Sequence, residues 1–125
     1  MPVNRSTSAT DARDIGATPY QYISLASTNA TVVKAAGGVV TSVVANNINA
    51  AVRYLKFYDK ATAPTVGTDT PVHTIAMPAA SVQNITFAYP LGFTNGIAFA
   101  ITSGVAVADT GAVSANETVL NLGYA

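Results

Sequence analysis

The sequence predicts an all-β fold, an antiparallel β-sandwich, from three observations. From residue 20 onward, short runs rich in β-branched and aromatic residues are separated by Gly, Pro, Asn and Asp, a pattern typical of strands joined by turns. No segment keeps a 3.6-residue apolar period between helix caps. A chain of 125 residues has the size of one domain, and it can bury enough surface to fold without disulfides, which the lack of cysteine excludes.

A polar N-terminal arm precedes the predicted sandwich. Residues 1–19 are rich in Ser, Thr, Ala, Asp and Arg without an apolar period, so we expect an extended or flexible arm before a sandwich domain in residues 20–125. The arm lacks the apolar core of a signal peptide, so export by that route is not expected. Arg5 and Arg13 are predicted to contact a neighbouring subunit or another partner protein, because arginine is enriched at interfaces and forms bidentate pairs with carboxylates.

The first half of the domain contains four predicted strands. Residues 20–26 alternate tyrosine with aliphatic and polar side chains, and residues 31–34 form a short run before a Gly-Gly turn. Residues 39–46 are rich in valine and end at a pair of asparagines. Residues 51–60 are the most informative run, because alternation predicts one face for the core, with Arg53 near its edge. The opposite face of this strand, predicted to be an exposed interface, carries Tyr54, Lys56 and Tyr58.

The second half begins with a long connection, residues 61–71, in which two prolines and a glycine exclude a central strand. Pro90 is predicted to end a strand, and Asn95-Gly96 is predicted to form a type I′ hairpin turn. The strand pattern leaves a jelly-roll-like and an immunoglobulin-like sandwich open, with eight or nine strands. The remaining predicted strands are residues 73–77, 82–89, 97–102, 105–108 and 118–124.

Alternation within these strands also predicts the core. Ile85 and Phe87 share their predicted face with Tyr89. The side chains predicted to be largely buried are Leu55, Phe57, Ile85, Phe87, Ile97, Phe99 and Ile101.

Few residues could support catalysis, and no enzyme activity, metal or cofactor is predicted. His73 is the one histidine, and no acidic residue accompanies it in its strand, so it is interpreted as structural. The sequence of residues 108–112 matches the aspartic-protease signature, but too little chain follows it for the rest of a protease half, so a turn is predicted there. Asp59, Asp69 and Asp109 lack the dense spacing of a calcium loop.

The composition favours assembly over free diffusion as a monomer. Charged residues make up 10% of the chain, against about 25% in an ordinary domain, and the formal net charge is +0. A surface poor in charge favours association. Without clustered Lys and Arg the chain is not expected to bind nucleic acid, and without a long apolar run it is not expected to span a membrane.

Three segments carry a resemblance to a known group of proteins. Residues 50–72 read AAVRYLKFYDKATAPTVGTDTPV, residues 27–31 read STNAT, and residues 92–102 read GFTNGIAFAIT. Together they resemble small β-sandwich structural proteins of tailed bacteriophages, over about residues 20–125. These motifs mark fold and turns rather than a reaction.

The resemblance implies a virion component made in the cytoplasm of the bacterial host. The expected role is a head decoration (cement) protein, present as a trimer that binds the major capsid protein or another virion protein. The alternatives are a tail or head-fibre component and a glycan- or receptor-binding module, the latter using Tyr20 with Tyr22 or Tyr54 with Tyr58. Packing is the favoured interpretation of these tyrosines.

Overall fold

The structure, a computed structural model, describes residues 16–125. This part of the chain contains eight strands and no helix, as the sequence predicts. Accordingly, within residues 16–125 there is no helix that could cross a membrane. The strands are β1 (Thr18–Ile23), β2 (Thr31–Lys34), β3 (Gly38–Asn47), β4 (Arg53–Asp59), β5 (His73–Met77), β6 (Ser81–Phe93), β7 (Ile97–Thr102) and β8 (Thr118–Tyr124).

The strands form two antiparallel four-stranded sheets. Sheet I has the order β1-β8-β3-β6, and sheet II has the order β2-β7-β4-β5. The first strand therefore pairs with the eighth, the second with the seventh, the third with the sixth and the fourth with the fifth. This nested pairing is the jelly-roll arrangement of two Greek keys. The predicted antiparallel sandwich is confirmed, and the strand order distinguishes it from the immunoglobulin type.

The core lies between the two sheets and contains the predicted residues. Phe99 is fully buried, and the rings of Tyr20 and Tyr22 pack edge-on against it from sheet I, with centroids 6.3 and 5.1 Å from its own. Ile85 and Phe87 are half-buried and pack against the edge of the same core. The other predicted residues are fully buried: Leu55, Phe57, Ile97 and Ile101.

β6 is longer than predicted because a bulge accommodates its proline. Leu91 pairs with Val40, and Thr86 pairs with Ser42. Residues 87–90 therefore do not pair with β3, where the single residue Thr41 lies opposite all four of them. Pro90 lies in this bulge, where no ladder N–H is needed, and the strand continues to Phe93 instead of ending. Tyr89, which lies within the bulge, is 90% exposed, whereas Ile85 and Phe87, with which the sequence predicts it to share a face, are half-buried.

The predicted hairpin at Asn95-Gly96 is wrong. The strands on either side, β6 and β7, belong to different sheets, and neither residue has a positive φ. Asp59 accepts hydrogen bonds from the N–H groups of Asn95 and Gly96, at 2.7 and 3.3 Å. A Cβ atom on Gly96 would overlap the carbonyl oxygen of Lys60. Glycine is needed here for close packing against the end of β4.

Several further boundaries differ from the prediction, since β1 ends at Ile23 and the observed bounds of the next two long strands are Gly38–Asn47 and Arg53–Asp59. β1 begins at Thr18, which pairs with Tyr124, so two residues of the predicted arm belong to sheet I. Residues 105–108 form part of a loop and not a strand. Arg5 and Arg13 lie outside the described residues.

Candidate interaction surface

The protein's own loops cover the central part of the outer face of sheet II. Lys56 and Tyr58 are 0% and 1% exposed, so the prediction of an exposed face at these two positions is wrong. The Lys56 Nζ donates to the carbonyl oxygen of Ala106 at 2.7 Å, in the β7–β8 loop (residues 103–117). Val66 of the β4–β5 loop (residues 60–72) packs against the cluster that contains Tyr58. Tyr54, the third residue of the predicted interface, is half-buried.

Burial changes the titration of both covered side chains. It lowers the pKa of Lys56 below its ordinary value, and the nearby carboxylate of Asp109 acts in the opposite direction. Burial likewise raises the pKa of Tyr58, whose hydroxyl has no hydrogen-bond partner within the described part of the chain. These groups are interior polar groups of the fold, and they offer a partner no accessible surface.

The other residues considered for chemistry have local structural roles. The His73 ring packs edge-on against Phe87, with centroids 5.9 Å apart. Asp109 accepts a hydrogen bond from the Gly111 N–H at 2.7 Å, which is the predicted turn. Asp69 accepts hydrogen bonds from the Lys60 side chain and a backbone N–H of its own loop. Among residues 16–125, no three His, Asp or Glu side chains lie close enough together to hold a metal ion.

A largely buried ion pair links the start of β4 to the end of the β7–β8 loop. Arg53 Nε lies 2.6 Å from Glu117 Oε2, and Asn49 Nδ2 donates to Glu117 Oε1 at 2.7 Å. Burial alone would raise the pKa of Glu117, but the hydrogen bonds from Arg53 and Asn49 hold it below its ordinary value. The sequence places Arg53 near the edge of the apolar face, as observed, but it does not indicate this partner.

The outer face of sheet I is open and has no charge. Along each strand of sheet I, every second side chain faces away from the core. Pairing between the strands aligns these outward residues in three rows, each of which crosses the four strands in the order β1, β8, β3, β6. We call these twelve residues the open face. The rows are Ile23, Val119, Asn46 and Val82; Gln21, Asn121, Val44 and Asn84; and Pro19, Gly123, Ser42 and Thr86.

Charge is segregated between the two sheets. No strand of sheet I contains a charged residue. Within residues 16–125, every charged side chain lies in sheet II or in the β4–β5 and β7–β8 loops: Lys34, Arg53, Lys56, Asp59, Lys60, Asp69, Asp109 and Glu117.

One end of the open face is aliphatic. Ile23 and Val82 are 47% and 58% exposed at the two edges of the first row. Leu25 and Ile48 lie just beyond the ends of β1 and β3, each two residues after a member of this row, and they are 63% and 64% exposed. The middle row is instead rich in amides, and Gln21 Nε2 donates to Asn121 Oδ1 at 3.2 Å. Exposed aliphatic side chains grouped at one end of a sheet face are a feature of interaction surfaces in soluble proteins.

Comparisons of the chain with protein-family models, with curated proteins and with solved structures gave no match.

Proposed function

We propose that this chain is a structural protein of a tailed-phage particle, a decoration (cement) protein that associates with itself and with the head shell. The observation that carries the proposal is the asymmetry of the sandwich: loops cover sheet II, whereas sheet I exposes an uncharged face with an aliphatic end. Such a face suits a protein that assembles into a shell, because burying neutral, partly apolar groups costs less than burying charged ones.

The strand order supports the proposal without deciding it. Jelly rolls form viral capsid proteins, and they also form lectin and cupin domains. Fold alone therefore does not assign a function. The uncharged open face favours the capsid type of use, because assembly uses an extended face of this kind, whereas a small ligand requires a concave site with converging polar groups.

The size of the open face favours repeated weak contacts. Strand and row spacings give an area of roughly 400 Å² for the three rows on four strands, and Leu25 and Ile48, just beyond β1 and β3, extend it to roughly 450 Å². Stable interfaces bury about 800 Å² on each partner, so one contact through this face is weak. Repetition over a shell converts weak contacts into firm attachment.

The glycan-binding alternative receives no support from the tyrosine pairs. Tyr20 and Tyr22 pack against Phe99 in the core, and Tyr58 is buried beside Val66. A tail or head-fibre component differs from a decoration protein in its location on the particle, so the test of location also distinguishes these two.

Fractionation of phage particles tests the proposal. We expect the protein to co-sediment with gradient-purified particles of the phage that encodes it, and we expect gold-labelled antibody to mark the head. A host cytoplasmic protein serves as the negative control. A protein found only in the soluble part of the lysate contradicts the proposal, and labelling confined to the tail replaces decoration with the fibre alternative.

A further inference from the structure

We propose that the open face of sheet I binds the open face of a second copy, so that two sheets I stack on each other about a two-fold axis. This inference rests on the self-association in the proposed function and names its surface and partner. Sheets that pack in this way lie about 10 Å apart, with strand directions within about 30° of each other.

The absence of charge on the face favours a second copy as the partner. A partner with charged groups would bury them without counter-charges on this face, which is strongly unfavourable. The described part of this chain itself offers a matching uncharged surface, namely the same face on another copy. A two-fold contact needs only one such self-complementary patch.

The side chains of the middle row are self-complementary in hydrogen bonding. Gln21, Asn121 and Asn84 each carry an amide that both donates and accepts. When two copies of the row run antiparallel, Gln21 of each copy lies opposite Asn84 of the other, and Asn121 lies opposite Val44 and keeps its hydrogen bond from Gln21. Val44 provides an apolar contact between them. The aliphatic ends of the two faces add buried apolar surface outside this polar row.

The β1 edge of sheet I is poorly suited to extension of the sheet by another strand, which favours stacking of faces. Ser24 donates its N–H to Thr118 of β8, so the N–H groups at alternate positions of β1 point outward, and one of those positions is Pro19, which has no N–H. Proline on an edge strand limits the addition of another strand. Two copies therefore meet more favourably through their faces than through this edge.

The area of the contact predicts a weak, reversible dimer. Two faces of roughly 450 Å² each bury about 900 Å² in total, which is below the usual size of a stable interface and in the range of weak, transient ones. A trimer with three-fold symmetry would instead require two different patches on each copy. The trimer implied by the phage resemblance would thus need a surface other than this face.

Sedimentation velocity on the full chain, at concentrations up to about 1 mM, tests the inference with matched lysine variants. We expect the wild-type protein to form a dimer and Asn121→Lys to raise the dissociation constant at least about tenfold, because two like charges meet in the contact. Thr74→Lys, at an exposed position on the β5 edge strand of sheet II, should dimerise like the wild type. An equimolar mixture of Asn121→Lys and Asn121→Asp should recover the dimer.

Three outcomes overturn the inference. In the first, the wild-type protein stays monomeric with and without residues 2–15. In the second, the wild-type protein forms an oligomer that Asn121→Lys leaves intact. In the third, the wild-type protein is monomeric and dimerises only after deletion of residues 2–15, which would mean that the protein's own N-terminal segment occupies the open face. Circular dichroism of each variant verifies the fold. Failure of the proposed function is a separate result, since a dimer can form in a protein that is absent from phage particles, and a monomer can be present on them.

Discussion

Lys56 shows how a loop distant in sequence determines the environment of a residue. Its strand is regular, and alternation correctly places it on the side opposite the core. That side is nevertheless interior, because the β7–β8 loop crosses it and Ala106 accepts the hydrogen bond of the ammonium group. No pattern in the loop sequence indicates this cover, so the sequence could not predict the burial.

The lowered pKa of Lys56 predicts a pH dependence of stability. Between its lowered native pKa and its ordinary value of about 10.4, the unfolded chain binds more protons than the folded one, so the free energy of unfolding rises with pH. Lys56→Met should remove this rise. Urea titrations should be made below about pH 10, because Tyr20 and Tyr58, whose pKa values are raised, contribute with the opposite sign above it. If the free energy of unfolding rose equally with pH in the wild-type protein and in Lys56→Met, the assignment of this pH dependence to Lys56 would be wrong.

Phe99 is the residue on which the two sheets depend most. It is fully buried and contacts the rings of Tyr20 and Tyr22 across the sandwich. Phe99→Ala should lower the free energy of unfolding by about 3–5 kcal/mol, because it leaves a cavity that the rigid strands cannot close. Tyr89→Ala, at a position that is 90% exposed, is the matched control and should change stability by less than about 0.5 kcal/mol. Equal losses in denaturant titrations would contradict the assignment of the core.

At the scale of elements, β2, β5, β7 and β8 have the bounds that the sequence predicts. Their turn residues and alternation are local signals. The partner of each strand is not local: β8 pairs with β1 from the far end of the chain, and this pairing creates the rows of the open face. Alternation identifies which residues of one strand share a side, but only the register shows that the uncharged sides of four strands combine into one surface.

The β6 bulge and the Asn95-Gly96 turn show a different limit of the sequence prediction. Both positions carry strong local signals, a proline and an Asn-Gly pair, and at both the tertiary arrangement determines the outcome. The bulge places Pro90 where it interrupts no ladder bond, and Asp59 holds the turn between the sheets. A local signal predicts a break in regular pairing, but it does not predict which elements the break connects.

The ion pair of Arg53 with Glu117 fastens the start of β4 to the β7–β8 loop. Glu117→Gln should lower the free energy of unfolding by about 3 kcal/mol at neutral pH, because Arg53 then stays buried without a counter-charge. Asp69→Asn, which removes the more exposed pair with Lys60, should have a smaller effect. Thermal melts of the two variants compare the losses directly, and a loss for Glu117→Gln no greater than that for Asp69→Asn would contradict this role.

The same pair predicts an acid-sensitive stability. The pKa of Glu117 is lower in the folded protein than its ordinary value of about 4.3. The carboxylate therefore contributes fully to the free energy of unfolding above the ordinary pKa, and this contribution is lost as the pH falls through the lowered native pKa. The variant Glu117→Gln should lack this part of the acid dependence. Urea titrations between about pH 6 and pH 3 test it, and an unchanged slope in the variant would contradict the ion-pair account.

At the scale of the whole molecule, residues 16–125 contain two four-stranded sheets and the core between them, so the N-terminal segment is predicted to be dispensable for folding. Deletion of residues 2–15 should leave the melting temperature unchanged. If Arg5 and Arg13 contact a partner protein, as the sequence predicts, and that partner is the head shell of the proposed function, the deletion should also abolish binding to phage particles. Binding at wild-type occupancy would show that attachment uses the sandwich alone.

The central claim is that the protein covers one sheet with its own loops and leaves the other for a second copy. Backbone amide shifts in ¹⁵N-resolved NMR spectra, followed from dilute to concentrated protein, test this claim most directly. We expect concentration-dependent shifts at Gln21, Val44, Asn84 and Asn121, and constant shifts across β4 and β5 in sheet II. Shifts that change in sheet II while those of the open face stay constant would contradict it.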